Sequence, residues 1–287
     1  MYYYIVNPAA GSGAINSIQD RLKTTLHSLN IDGEFAKTLG PGDAAKITAK
    51  ALTKGVKTIV AVGGGETVNE VIAAVHDSHK PDVAIGIIPL GRQNLLAKHL
   101  GIDNWRQACD VLAGRRITEY SLMSVNDQVF IYALAIAAPN LGEQAASSDS
   151  WLKQLRTRRP PQIAINYKVT VDKTYKIRGQ ATALVVNNQR FLDTKLDNQL
   201  VLRIYEPPQP PRGLLGRAKA MLVAKTSDPS FSQLHASAIE VRTQKMAEAN
   251  LDGKIVTGKH FEVALTNQQL RLISHFNRPQ NMNSSPS

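Results

Sequence analysis

The run Thr58-Ile59-Val60-Ala61-Val62 empties into three consecutive glycines, Gly63, Gly64 and Gly65, followed by Glu66-Thr67-Val68-Asn69-Glu70-Val71. A β-branched apolar segment that ends in glycine and passes into a helical pattern specifies a buried strand, a tight turn and a helix start. Thr67 and Glu70 stand at the spacing of a reciprocal capping box, so the helix is expected to open there. Glycine allows close backbone approach to an anion, and free N–H groups at a helix start supply donors and positive dipole charge. A phosphate cradle is the expected result.

The texture around this loop extends the reading. Tyr2 to Val6, Thr58 to Val62 and Val83 to Ile88 are continuously apolar, as strands buried on both faces of a parallel sheet should be. Between them, Ile15, Ile18, Leu22, Leu26 and Leu29 form one helical stripe, and a second helix is expected over Asp43 to Thr53. Beyond Gly114 the pattern changes. Strands are expected at Phe130 to Ala138, Ile163 to Asp172, Tyr175 to Arg178, Thr182 to Asn187, Val201 to Tyr205, Ala236 to Arg242, Phe261 to Leu265 and Leu270 to Ile273, with one helix at Leu214 to Lys225. The expected organisation is an α/β N-terminal domain with a parallel sheet over residues 1–114 and an all-β, sandwich-like domain over 115–268. A strand at 269–276 is expected to return to the first domain, and 277–287, rich in Asn, Pro and Ser, to form a disordered tail.

Five segments in order resemble the catalytic domain of the diacylglycerol kinase and sphingosine kinase family, particularly its soluble bacterial lipid kinases. Asn7-Pro8-Ala9-Ala10-Gly11-Ser12-Gly13 is similar to the family's N-P-x-x-G-x-G turn, and Thr38 to Ala44 to its T-x-x-x-G-D-A segment. Gly63 to Glu70 resembles G-G-D-G-T followed by N-E, Pro89 to Asn94 resembles P-L-G-T-x-N, and Leu251-Asp252-Gly253-Lys254 resembles L-D-G-E. One such match is weak; five spread over most of the chain are specific. The resemblance implies a two-domain lipid kinase or NAD kinase-like fold with a nucleotide in the cleft between its domains. It assigns ligand contacts to Asn7, Gly11, Gly13, Thr38, Gly63, Gly64, Gly65, Thr67, Asn69, Arg92 and Asn94. Catalytic work falls to Asp252 and to the residue at position 254.

The departures fall on the chemistry. Gly65 stands where the family has its loop aspartate and Glu66 where it has the next glycine; Arg92 replaces threonine, Leu95 replaces aspartate, and Lys254 replaces the glutamate to which the resemblance assigns proton acceptance. Three acids are lost, two bases gained and one acid gained, a net change of +4 in the motif set. Phosphoryl transfer depends on positioning and on metal ions that neutralise developing charge, so weak magnesium binding is expected here. A protonated lysine cannot accept the substrate proton. Asp197, before Asn198-Gln199-Leu200, resembles the family's structural magnesium loop with one acid in place of two; an ordinary turn is the alternative.

Three functions stay open. The first is a lipid kinase fold, catalytically impaired, that binds ATP or another phosphate-bearing ligand. The second is an active ATP-dependent diacylglycerol or lipid kinase with Glu66 replacing the displaced aspartate. The third is an NAD kinase-like enzyme, which shares a G-G-D-G loop but is opposed by the N-P-x-x-G-x-G turn. Each motif residue also has an architectural alternative: Thr67 and Glu70 as caps, Asn7 and Asn94 as loop bridges, Thr38 as a strand end, Asp252-Gly253 as a turn pair.

A net charge of +11 on 287 residues calls for anionic partners. An anionic small molecule or lipid fits, as does peripheral contact of Lys153 to Arg159 with an anionic membrane, against the alternative of a solvated loop. No helix-turn-helix, Cys/His finger or aromatic RNA-binding motif occurs, so nucleic acid is not expected. The single cysteine, Cys109, excludes an internal disulfide, and Met1 to Val6 lacks the basic start of a secretory signal. A cytoplasmic protein is expected, and association between copies of the chain stays open.

Overall fold

A computed structural model of the chain describes residues 1–91, 94–138, 164–189, 199–207 and 231–275. Outside these lie Arg92, Asp197, the expected helix at Leu214 to Lys225, the basic segment Lys153 to Arg159 and the expected C-terminal tail. Two compact units are present, one built from Met1–Leu122 with the segment beginning at Thr266, the other beginning at Met123 and closing at Leu265.

The first unit alternates strand and helix: β1 Tyr2–Val6, α1 Ala14–Ser28, β2 Gly33–Lys37, α2 Asp43–Thr53, β3 Thr58–Gly63, α3 Gly65–Asp77, β4 Ala84–Pro89, α4 Leu95–His99, α5 Trp105–Gly114 and β5 Ile117–Val125, whose last residues belong to the second unit. β1, β3 and β4 are buried throughout, as their continuous apolar runs require. All pairings of β1 to β4 are parallel, in the order β2-β1-β3-β4, with Tyr4 beside Phe35 on one side and Val60 on the other. The chain therefore leaves β1 toward one edge and leaves β3 toward the other. That reversal opens a crevice at the C-terminal ends of β1 and β3, where ligands bind in sheets of this kind. The apolar stripe of α1 faces inward through Ile15, Ile18, Leu22 and Leu26. Cys109 is buried in α5, where burial raises its thiol to about 11, as a core residue rather than a nucleophile.

The second unit is antiparallel and β-rich: β6 Gln128–Phe130, β7 Ala133–Ala137, β8 Ile165–Val171, β9 Tyr175–Ala181, β10 Ala183–Asn188, β11 Leu200–Tyr205, β12 Phe231–Ala236, β13 Ala238–Leu251 and β14 Lys254–Ile273. β13 pairs with β8 over Ile239 to Thr243 and with β7 over Glu248 to Leu251. An irregularity between Arg242 and Ala247 lets it change partner, since extra residues in one strand bend it away from a continuous ladder. Phe130, Phe261, Val263, Ile239, Leu184 and Leu202 centre the core.

Two sequence expectations are corrected here. Phe261 to Leu265 and Leu270 to Ile273 belong to one strand, because polar Thr266 to Gln269 stays extended instead of turning. From Thr266 onward the strand belongs to the first unit, where Arg271 and Leu272 pair parallel with Ala84 and Ile85. β5 and β12 carried no strand expectation, and β2 only the alternative that Thr38 ends a strand. β2 and β12 are edge strands with mostly exposed or half-exposed side chains, so they lack the apolar run that announces a buried strand.

Candidate functional site

Three loops meet at the crevice. After β1, the Asn7 side chain spans two of them: its Oδ1 accepts from Ala9 N–H at 3.0 Å, and its Nδ2 donates to Thr67 Oγ1 at 3.0 Å. The turn continues through Gly11, at φ +59°, and Gly13, at φ +82°, into α1. A Cβ on Gly11 would lie 2.0 Å from the Leu90 carbonyl oxygen, so only glycine lets this turn sit under the third loop.

After β3, the glycines serve closeness rather than unusual dihedrals. A Cβ on Gly63 would lie 2.6 Å from Thr67 Oγ1, and one on Gly91 would lie 2.6 Å from the Gly64 Cα. Leu90 N–H donates to Gly63 O at 2.9 Å, which fastens the second loop to the third. Thr38 continues β2 beside them, buried, with its N–H on Val6 O at 2.9 Å. Asn94, at φ +49°, donates from Nδ2 to Gly91 O at 2.7 Å; its Oδ1 is buried without a hydrogen-bond partner among the described residues.

The expected capping box at Thr67 and Glu70 is not formed. α3 opens at Gly65, two residues earlier, with Gly64 extended at the cap position and no side chain capping it. The first intrahelical bond at this end runs from Val68 N–H to Gly64 O, so the amides of Gly65, Glu66 and Thr67 precede the helical ladder. Thr67 is already helical and buried, its hydroxyl turned to Asn7. Glu70 braces a different helix: Oε1 accepts from Gly42 N–H at 2.7 Å and Oε2 from Ala44 N–H at 3.0 Å, at the start of α2. Glu70→Ala is therefore expected to destabilise the first unit by about 1–3 kcal/mol through two amides left without an acceptor, read as a lower urea midpoint, while Glu70→Gln retains one of them.

Around this uncapped helix start the donor set suits phosphate. Gly65 and Glu66 are exposed on the first turn, and Asn69 is half-buried behind them. Gly65 brings no carboxylate, so among the described residues of this turn Glu66 alone offers a metal an anionic oxygen. The backbone cradle fits a phosphate group; the side-chain donors are poor for magnesium.

In the second unit, Asp252 and Gly253 form the two-residue hairpin between β13 and β14, both at positive φ, +49° and +105°. Asn250 Oδ1 accepts from Gly253 N–H at 2.7 Å. The Asp252 carboxylate accepts from three successive amides: Ile131 at 2.7 Å, Tyr132 at 3.0 Å and Ala133 at 2.7 Å. Burial pushes this carboxyl above its usual range, and the three N–H donors pull against that shift. Lys254, opposite Leu251 in the hairpin, is exposed.

The structure thus brings together Asn7, Gly11, Gly63, Gly64, Thr67 and Asn94 from the sequence-derived set, with Thr38 at the neighbouring strand end. Gly91 and Glu70 complete the assembly without having been given site roles. Gly91 was signalled by its place between Leu90 and the loop that carries Asn94; the partners of Glu70 had no local signal.

A parallel sheet ordered β2-β1-β3-β4, glycine loops at its point of reversal, and an antiparallel second unit together define the two-domain fold shared by diacylglycerol kinases and NAD kinases. A solved structure described as "A putative diacylglycerol kinase from Bacillus anthracis str. Sterne" matches 96% of this chain and 97% of its own, with a TM-score of 0.75 at 19% identity. An NAD kinase from Archaeoglobus fulgidus, solved in complex with ATP, matches at a TM-score of 0.56 and 15% identity over 96% of this chain and 94% of its own. Residues 1–125 match the family model described as the diacylglycerol kinase catalytic domain. The chain is also 24% identical over 279 residues to "Probable lipid kinase YegS-like" of Enterobacter sp. (strain 638), across 89% of this chain and 90% of that protein. Among the described residues no helix is long and apolar enough to cross a membrane.

Proposed function

We propose that this chain binds a phosphate-bearing ligand, ATP or a related nucleotide, at the junction of its three glycine loops, and that its phosphotransfer activity toward lipid is impaired. The observation that carries the reading is the uncapped start of α3 behind Gly63 and Gly64, held open by the Asn7–Thr67 hydrogen bond and the Gly64–Gly91 contact. The resemblance to the ATP-bound NAD kinase and to lipid kinases supports a nucleotide over a simple anion. Impairment rests on Gly65, which offers no carboxylate, and on Lys254, which cannot accept a proton while charged. The substrate class that the family suggests is a lipid alcohol.

With backbone donors and no acidic pair to shield, the ligand needs little help from a cation. Titration calorimetry with ATP is therefore expected to give affinities within about threefold of each other in EDTA and in magnesium, a difference under about 1 kcal/mol. No binding in either buffer would sink the ligand reading. Strict magnesium dependence would instead favour an active kinase in which Glu66 supplies the metal carboxylate, a reading that the exposure of Glu66 beside the glycine loop keeps alive.

A further inference from the structure

On the β13–β14 hairpin, in the part beyond the strand irregularity from Asp252, the register sets Glu240 directly opposite Glu262 and Arg242 directly opposite His260. All four residues are two apart along their strands, so their side chains share one face. Two glutamates directly opposed across antiparallel strands repel each other, and a cation between them would remove that cost. His260 reaches into this space: its Nε2 is 2.9 Å from Glu240 Oε1 and 3.3 Å from Glu262 Oε1. Among the described residues, Glu240, His260 and Glu262 form the one trio of His, Cys, Asp or Glu whose ligand atoms all lie within 4.8 Å of one another.

These separations have a chemical meaning. Zinc bonded to imidazole nitrogen and carboxylate oxygen at about 2.0–2.1 Å in a tetrahedron places neighbouring ligand atoms roughly 3.3 Å apart. The two N···O spacings here are already near that edge length. The backbone is held as well: Asn126 Nδ2 donates to His260 O at 2.7 Å, and Asn126 Oδ1 accepts from Glu262 N–H at 2.9 Å, so one side chain clamps both ligand-bearing residues of β14. Support of this sort positions ligands before a metal arrives.

We propose that Glu240, His260 and Glu262 form a surface binding site for a divalent transition metal of the zinc type, with water completing the coordination. The mixture of one imidazole and two carboxylates suits zinc better than magnesium, which takes an all-oxygen octahedron. Arg242 is the built-in competitor: its Nε donates to Glu240 Oε1 at 2.6 Å, and it holds the Glu240 carboxyl below the usual carboxylate range, with His260 adding to the effect. Glu240 is thus kept anionic and ready to bind, but one of its oxygens is engaged. A bound metal would tie β13 to β14 and stiffen the hairpin that carries Asp252 at its turn.

The experiment is titration calorimetry of chelator-washed full-length protein with zinc chloride and, separately, magnesium chloride. One saturable zinc site per chain is expected at these residues, with no matching magnesium site. His260→Ala and Glu262→Gln should each weaken zinc binding at least tenfold, and Arg242→Ala should tighten it several-fold by releasing Glu240. Circular dichroism identifies any variant that has lost its fold, and a zinc-induced shift of the His260 imidazole resonances reports the site in the unaltered chain. Absence of zinc binding at millimolar metal, full retention of binding in His260→Ala, or an unshifted His260 resonance would each overturn the proposal. None of these readouts involves the glycine loops, so they stand or fall apart from the nucleotide reading.

Discussion

Gly65→Asp, Glu66→Gly and Lys254→Glu, introduced together, are expected to raise magnesium-dependent phosphorylation of diacylglycerol by about two to four orders of magnitude over the unaltered chain, the range that a positioned general base contributes. The unaltered protein should show negligible turnover. The structure accommodates all three changes: Gly65 and Glu66 are exposed on the first turn of α3, and Lys254 is exposed at the start of β14, so none demands repacking of a core. The aspartate would restore the metal carboxylate at the helix start, and the glutamate the proton acceptor assigned by the family resemblance. Lys254→Glu alone should recover little, because a base without a metal to neutralise the transferred group leaves the transition-state charge uncompensated. Robust magnesium-dependent turnover by the unaltered chain would refute impairment and assign the metal role to Glu66.

The second large effect is on stability. Asp252→Ala removes the acceptor for the amides of Ile131, Tyr132 and Ala133 at once and leaves an alanine at φ +49°. A buried donor without an acceptor costs about 1–3 kcal/mol, so a loss of about 3 kcal/mol or more is expected in the second unit. Hydrogen exchange at Ile131 to Ala133 and the urea midpoint both measure it. Asp252→Asn keeps one side-chain carbonyl and an Asn at a left-handed position that suits it, so it should recover about half of the loss. If Asp252→Ala left stability and exchange untouched, the carboxylate would have no architectural role, and its sequence-derived assignment to metal or substrate would regain weight.

How much could be read beforehand varied with the physics of each element. β1, β3 and β4 announced themselves because strands covered on both faces must be apolar at every position. α2 was read to its bounds, since its Ala-rich, amphipathic run starts just beyond Gly42 and ends near Gly55, both at positive φ. β12 stayed hidden, and β2 showed only through the alternative reading of Thr38, because an edge strand needs partners for its backbone and not apolar side chains. The long β14 was read as two pieces because Thr266 to Gln269 has the composition of a turn, whereas its backbone continues the ladder that the strands on either side impose.

The site divides along the same line. Sequence alone determined which residue types stand at the loops, including the glycines, the asparagines and the displaced acid at Glu66, because conformational freedom and charge belong to a residue wherever it lies. It carried the family resemblance for the same reason, through five motifs in order. Only the tertiary structure decided which group each carboxylate serves. Glu70 looked like a local cap for its own helix and instead braces amides 28 and 26 residues away. Asp252 looked like a turn residue with catalytic promise and is engaged by amides 121, 120 and 119 residues away. A hydrogen bond depends on where donor and acceptor meet in space, and a separation of that size along the chain is set by the packing of the whole unit.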